Sequence, residues 1–219
     1  MLRQSKQIKQ GLVMGMRLAV LEKQAAAVVA EGRMITVFLP GAYQLEQDKM
    51  PPLRPDEKCS WLYPAQLYFL NMSPAQPAPW QPQEPLLTRD TERGLMQLTL
   101  VAEYTVQVEN AALFMQNMVL KRGFHEWTDV HNYVCGRLNE VILVLLAHNQ
   151  TSVARLGKIK EKIARTLLQC LNLSLRSSGL TLLDMCILEL DVHPQMRHLL
   201  QEQKEYLAFN RAVLRSIVG

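Results

Sequence analysis

No run in this chain approaches the roughly 18 apolar residues that cross a bilayer as a helix. The longest well-defined one, Val141 to Ala147 (VILVLLA), is far too short. The first residues lack the apolar core of a secretory signal. The expectation is a cytoplasmic chain whose membrane contact is peripheral or made through a partner. The four cysteines, Cys59, Cys135, Cys170 and Cys186, lie far apart, with no CxxC and no paired His/Cys spacing. That argues against a zinc knuckle and for reduced thiols. The phosphate-cradling, zinc-protease and nucleophile-elbow signatures G-x-G-x-x-G, G-x(4)-G-K-[ST], H-E-x-x-H and G-x-S-x-G are all missing. No nucleophile–base pair stands out. The expectation is no enzyme, no cofactor and no metal.

What is present suffices for a core. The chain has 219 residues, 48% of them hydrophobic, so wholesale disorder is excluded and one domain, or one domain with an appendage, is expected. A net charge of +4 permits an anionic partner without demanding one.

Met1 to Gln10 is polar and basic. After it, Met16, Leu18 and Val20 alternate with Arg17 and Ala19, the pattern of a first strand. A helix over the same segment would carry Arg3, Lys6, Lys9 and Arg17 and could lie on an anionic bilayer. Ala25 to Leu45 reads as strand, Glu31-Gly32-Arg33 turn, strand, and a Pro40-Gly41 type II turn. Ile35, Val37 and Leu39 form the alternating phase of its second strand. Glu46 to Pro64 is a proline-broken loop, and Gln66 to Leu70 a short strand. Ser73 to Pro85 holds five prolines around Trp80 and predicts extended polyproline chain; Pro74 and Pro77 give the PxxP spacing of an SH3 ligand.

Gly94 to Val108 is the strongest strand signal, with Met96, Leu98, Leu100, Ala102, Tyr104, Val106 and Val108 in one unbroken apolar phase. Before it, Arg89-Asp90 and Glu92-Arg93 form a charged turn. Asn110 offers an N-cap for a helix that turns Ala111, Phe114 and Met118 inward. A second helix starts near Thr128, with Val130, Val134, Leu138, Val141 and Leu145 at helical spacing. Its VILVLLA stretch is apolar all round and predicts a central, inaccessible helix. Thr151 or Ser152 can cap a third helix that ends at Ser177-Ser178-Gly179. The lysines of GKIKEKIAR, Gly157 to Arg165, read as a solvated face without aromatics for base stacking, so nucleic acid is not expected as a partner. His125, Glu126, Asp129 and His131 are the nearest cluster to a metal or acid–base site, and read as helix-start chemistry instead.

Leu182 to Val192 is the last strand, with Cys186, Leu188, Leu190 and Val192 inward. Pro194 then sits where a first helical turn accepts proline. Met196, Leu199, Gln203, Tyr206, Asn210, Val213 and Ile217 follow at heptad-like spacing, widened by Leu200, Leu207 and Leu214. The fold class is α+β: a mostly antiparallel sheet with helices on one side, plus a C-terminal helix. The expected divisions are a basic tail over 1–15, the α+β domain over 16–192, and an assembly helix over 193–219.

The order of these segments resembles the SPFH domain (stomatin/prohibitin, or band 7), and within it the soluble bacterial branch labelled virion-core-protein-like. The resemblance rests on AVVAEGRMITVFLPGAYQL (Ala27 to Leu45), LYFLN (Leu67 to Asn71), PAPWQPQEPLLTRD (Pro77 to Asp90), MQLTLVAEYTVQVENAALFMQ (Met96 to Gln116) and GLTLLDMCILELDVHPQMRHLL (Gly179 to Leu200). It implies a non-enzymatic oligomerising scaffold or adaptor, recruited peripherally to the inner membrane surface. Subunits would self-associate through sheet edges and C-terminal helices, with Met196, Leu199, Tyr206, Val213 and Ile217 at the contact. The membrane-associated partner would be a protein or an anionic lipid, the lipid met by Arg3, Lys6, Lys9 and Arg17. The alternatives are an anionic-lipid or peptide-binding module without assembly, and a small hydrolase-like enzyme lacking any recognisable motif.

Overall fold

Two residues make the first hairpin turn. Between β3 (Gln24–Ala30) and β4 (Arg33–Phe38), Glu31 and Gly32 both take positive φ, 51° and 71°. That is the mirror-image turn whose twist matches the flanking strands. A computed structural model describes residues 12–13, 15–46, 62–90, 93–148 and 156–218; in the last helix side chains are described through 206 and at 208. The fold is mixed α+β, with the strands in four small sheets rather than one.

The chain divides into two compact units. The first comprises Met1–Ala78, Tyr104–Arg137 and Leu168–Asp184. β3 is the middle strand of three, between β4 and β7 (Gln66–Asn71), and both pairings are antiparallel. Ala25 to Val29 are all buried, so β3 is covered on both faces and shows no alternation. A register shift between Val28 and Val29 accompanies a change of phase in β4. There Ile35 and Val37 are only half-buried, Phe38 is buried, and Leu39 is exposed.

β2 (Arg17–Val20) pairs with β5 (Gly41–Gln44), and β1 (Leu12–Val13) with β6 (Leu62–Tyr63). The strand reading of the N-terminal segment therefore holds over Arg17–Val20, with Leu18 and Val20 buried. Leu12, Leu18, Val28, Leu45, Tyr63 and Leu67 belong to one buried cluster. Gly41 has φ 155°, far from the roughly +80° of a type II turn, so the chain enters β5 directly. Most of the predicted 46–64 loop and the Thr151/Ser152 cap lie outside the described residues, but Leu62–Tyr63 at the loop's end forms a strand.

β10 (Gly94–Val108) has the predicted bounds, and its buried phase runs from Met96 to Val106. Asn110 caps α1 (Ala111–Phe114), its Oδ1 accepting the N–H of Leu113 at 3.0 Å. Ala111, Phe114 and Met118 are buried as expected. From Met115 to Leu120 the helix continues in the wider π form. The next helix, α2, is Trp127–His148, and α3 is Leu156–Leu175, followed by a 3₁₀ turn at Arg176–Ser178. Gly179, with φ 71°, ends that turn.

The second unit comprises Pro79–Glu103, Leu138–Leu167 and Met185–Gly219. β9 (Leu86–Asp90) pairs antiparallel with β10, from Gly94↔Asp90 to Leu98↔Leu86. Asp90 closes this charged turn by accepting the N–H of Arg93 at 2.9 Å. The proline tract is not wholly polyproline chain, because Ala78–Trp80 forms β8 beside β10. Pro79 is tolerated there because β8 ends the sheet, and Ala78 and Trp80 turn inward around it. Trp80 Nε1 donates to Asn139 Oδ1 at 3.2 Å.

The VILVLLA stretch is not inaccessible. Ile142 and Leu146 are buried, Val141 and Leu145 half-buried, and Leu143 and Val144 are 53% and 59% exposed. The core stripe Val130–Val134–Leu138 continues in steps of four to Ile142 and Leu146 rather than through Val141 and Leu145. In β11 (Leu180–Val192) the expected phase is also corrected. Leu182, Met185, Ile187, Leu190 and Val192 are buried, while Cys186 and Leu188 face outward. Alternation slips at Leu183-Asp184 and again at Leu188-Glu189, and each slip turns the following residues over, as a bulge does.

Candidate functional site

The last helix, α4, runs from Pro194 to Val218 and is about 37 Å long. Proline at its first position costs no hydrogen bond, since that N–H would have no helical partner. Its first turn is tied down: His193 N–H donates to Gln97 O at 2.8 Å and Arg197 pairs with Asp191. Beyond that turn most of its described side chains are exposed. Met196 and Leu200 are half-buried, Leu199 is 58% exposed, and every residue from 201 to 206 is exposed, including Tyr206 at 66%. Val213 and Ile217 lie on the same helix, but their side chains fall outside the described ones, as do those of Leu207, Asn210 and Leu214. The structure thus places Met196, Leu199 and Tyr206 on one helix, with Leu199 and Tyr206 turned to solvent and Met196 partly covered. In the same unit Leu143, Val144 and Leu188 are exposed as well.

Arg17 is exposed on β2, opposite Gln44. It sits on a strand, not on a basic helix. Arg3, Lys6 and Lys9 lie outside the described residues, so the four cations are not brought together here.

The free edge of β11 is covered at two residues, Leu182 and Leu188. In its N-terminal part, the Asn172 side-chain amide accepts the N–H of Leu182 at 2.7 Å and donates to its carbonyl at 3.0 Å. One side chain therefore takes both backbone bonds that a neighbouring strand would make. In its C-terminal part, Lys160 Nζ donates to Leu188 O at 3.0 Å.

The histidine–acid cluster resolves into two unrelated arrangements. Asp129 Oδ2 accepts the N–H groups of His125 at 2.9 Å and Glu126 at 3.0 Å. This is the reach-back half of a capping box at the start of α2. The bonds from Glu126 and His125 hold its carboxyl below the usual range. His131 instead faces β10, where the buried Tyr104 hydroxyl hydrogen-bonds Nδ1 at 2.7 Å. Cys135, one turn on, completes a trio that sequence reasoning missed. The only signal for it was the i, i+4 spacing of His131 and Cys135.

The trio is not a catalytic dyad with an orienting third group. Cys135 Sγ lies 3.5 Å from Nε2 and 3.9 Å from Nδ1, so it sits over the imidazole face. A thiol aligned on the Nε2 lone pair would be roughly 5 Å or more from Nδ1. Burial pushes the Cys135 thiol up, away from the thiolate a nucleophile needs, with the Tyr104 hydrogen bond opposing weakly. Burial, and then the nearby Cys135, push the Tyr104 hydroxyl up too, so it stays protonated. Among the described residues, no three His, Cys, Asp or Glu side chains are grouped to hold a metal.

A model of the SPFH domain-Band 7 family matches residues 2–207, and the chain belongs to that family. No curated protein matches it.

Proposed function

We propose that this SPFH chain is a non-enzymatic scaffold or adaptor that self-associates through α4. Family membership associates it with scaffold and oligomer roles, and SPFH domains are in general non-catalytic. The observation that carries the reading is the exposure of Leu199 and Tyr206, with half-buried Met196 on the same face, on a helix whose described contacts gather at its first turn. An amphipathic helix left in water gains by burying such a stripe against a copy of itself. The occupied edge of β11 supports the same route, since strand addition at Leu182 would first have to displace Asn172. Placement at the inner membrane face is the second part of the proposal, with Arg3, Lys6, Lys9 and Arg17 as its contacts; the exposure of Arg17 supports it. Each contact would be worth about 1 kcal/mol and be screened by salt.

Light scattering on the full chain tests the first part. The expected result is a dimer or small oligomer that falls to monomer mass in Leu199→Glu/Tyr206→Glu with unchanged circular dichroism. A wild-type chain that is monomeric at high concentration overturns it. Sedimentation with anionic vesicles, before and after all four cations become Gln, tests the second.

A further inference from the structure

The joint between β11 and α4 contains opposing contacts within a few residues. On the closing side, His193 N–H donates to Gln97 O at 2.8 Å, and Arg197 N–H bonds back to His193 O at 3.0 Å. Asp191 adds a clasp: one carboxylate oxygen accepts the N–H of Val192 at 2.7 Å and the other pairs with the Arg197 guanidinium. On the opening side is His193 Nδ1, which is buried and has no hydrogen-bond partner among the described residues. A buried polar atom without a protein partner is rare and carries a desolvation cost that exposure relieves. The clasp opposing it is weak, because its side chains are 60% and 52% exposed and water screens them.

We propose that this joint is a poised hinge, closed by the Asp191–Arg197 clasp and the His193–Gln97 bond and pushed open by the unpaired nitrogen of His193. Opening releases the first turn of α4 while the rest of the helix stays intact. It thereby changes the direction in which the stripe of Met196, Leu199 and Tyr206 is presented. The hinge is a property of the joint alone; its consequence for assembly rests on the scaffold reading above.

Hydrogen exchange read by mass spectrometry over residues 191–200 of the full chain tests it, at pH 7 and low salt. The two sides predict opposite signs. Arg197→Ala removes the clasp and should speed exchange there by up to about fivefold. His193→Phe keeps an aromatic ring at the joint but removes both ring nitrogens, the orphaned one included, and should slow it. The exchanged pair Asp191→Arg/Arg197→Asp should return the rate toward wild type, which a merely destabilised variant would not do. Shifts of the same sign in Arg197→Ala and His193→Phe, or no shift in either, overturn the hinge. If the opposite shifts appear while light scattering finds only monomer, the hinge stands and the scaffold reading fails.

Discussion

The carbonyl of Gly179 accepts the backbone N–H of Asn110 at 3.1 Å and that of Glu109 at 2.9 Å, so the end of the α3 segment is seated on the start of α1. A Cβ at Gly179 would stand 2.4 Å from Asn110 O and 2.6 Å from Phe114 N, both backbone atoms that cannot swing aside. Its φ of 71° adds the strain of a left-handed conformation. Gly179→Ala should therefore cost about 2–5 kcal/mol, combining that strain with overpacking. Urea unfolding reads it, and a loss below about 0.5 kcal/mol would mean that this contact is absent in solution.

Asn172→Leu should uncover the edge of β11. Leu182 is buried, so its N–H and carbonyl would lose their partners inside the protein, at about 1–3 kcal/mol for each group. An uncovered edge also invites another strand. The expected outcome is a lower unfolding midpoint together with faster growth of thioflavin fluorescence. A variant of normal midpoint and normal solubility would show that the amide protects nothing.

Two leucines on α2 should behave differently. Leu138 is fully buried, and Leu138→Ala should cost about 2–5 kcal/mol through the cavity it leaves. Leu143 is 53% exposed, and Leu143→Ala should cost less than about 1 kcal/mol at concentrations where the chain is monomeric. Equal losses measured by chemical denaturation would put the helix in a different rotation.

Asp129 gives a pH dependence of known sign. Its folded carboxyl is held below the ordinary 3.8 by the N–H groups of Glu126 and His125. The unfolded chain therefore binds that proton more readily, and the contribution to stability is present above about pH 4 and lost as pH falls further. Asp129→Asn should flatten that part of the acid-unfolding profile. An unaltered profile between about pH 4 and pH 2 would separate Asp129 from acid unfolding.

How far the sequence revealed the fold depended on how local each signal was. The bounds of β10, the Asn110 cap, the Gly32 turn and the stop at Gly179 need only neighbours along the chain, and these features were legible. Alternation fails where the burial phase of a strand slips. That is why Cys186 and Leu188 were read as inward: nothing in LLDMCILELDV marks the slips at Asp184 and Glu189. In α2 an apolar run offers both a three- and a four-residue step after Leu138, and only packing selects Ile142 over Val141. The Tyr104–His131 bond joins residues 27 apart across two elements, and no local pattern encodes such a pairing. The candidate stripe of α4 was visible from its spacing, whereas the clasp and the orphaned nitrogen at its root were not.

The division into two units has a consequence for how the protein is made. The polypeptide passes from one unit to the other five times, last between Asp184 and Met185. Neither unit is a continuous segment, so neither can be cut out and expressed alone. As the chain leaves the ribosome, Met1–Ala78 must wait for β10, α2 and the first residues of β11 before its unit is complete. The second unit can form its β9–β10 hairpin early but is not complete until Leu138–Leu167 and the segment from Met185 have emerged. Synthesis from the N-terminus thus completes both units late, and a chain stalled before Leu168 leaves each of them without at least one of its segments.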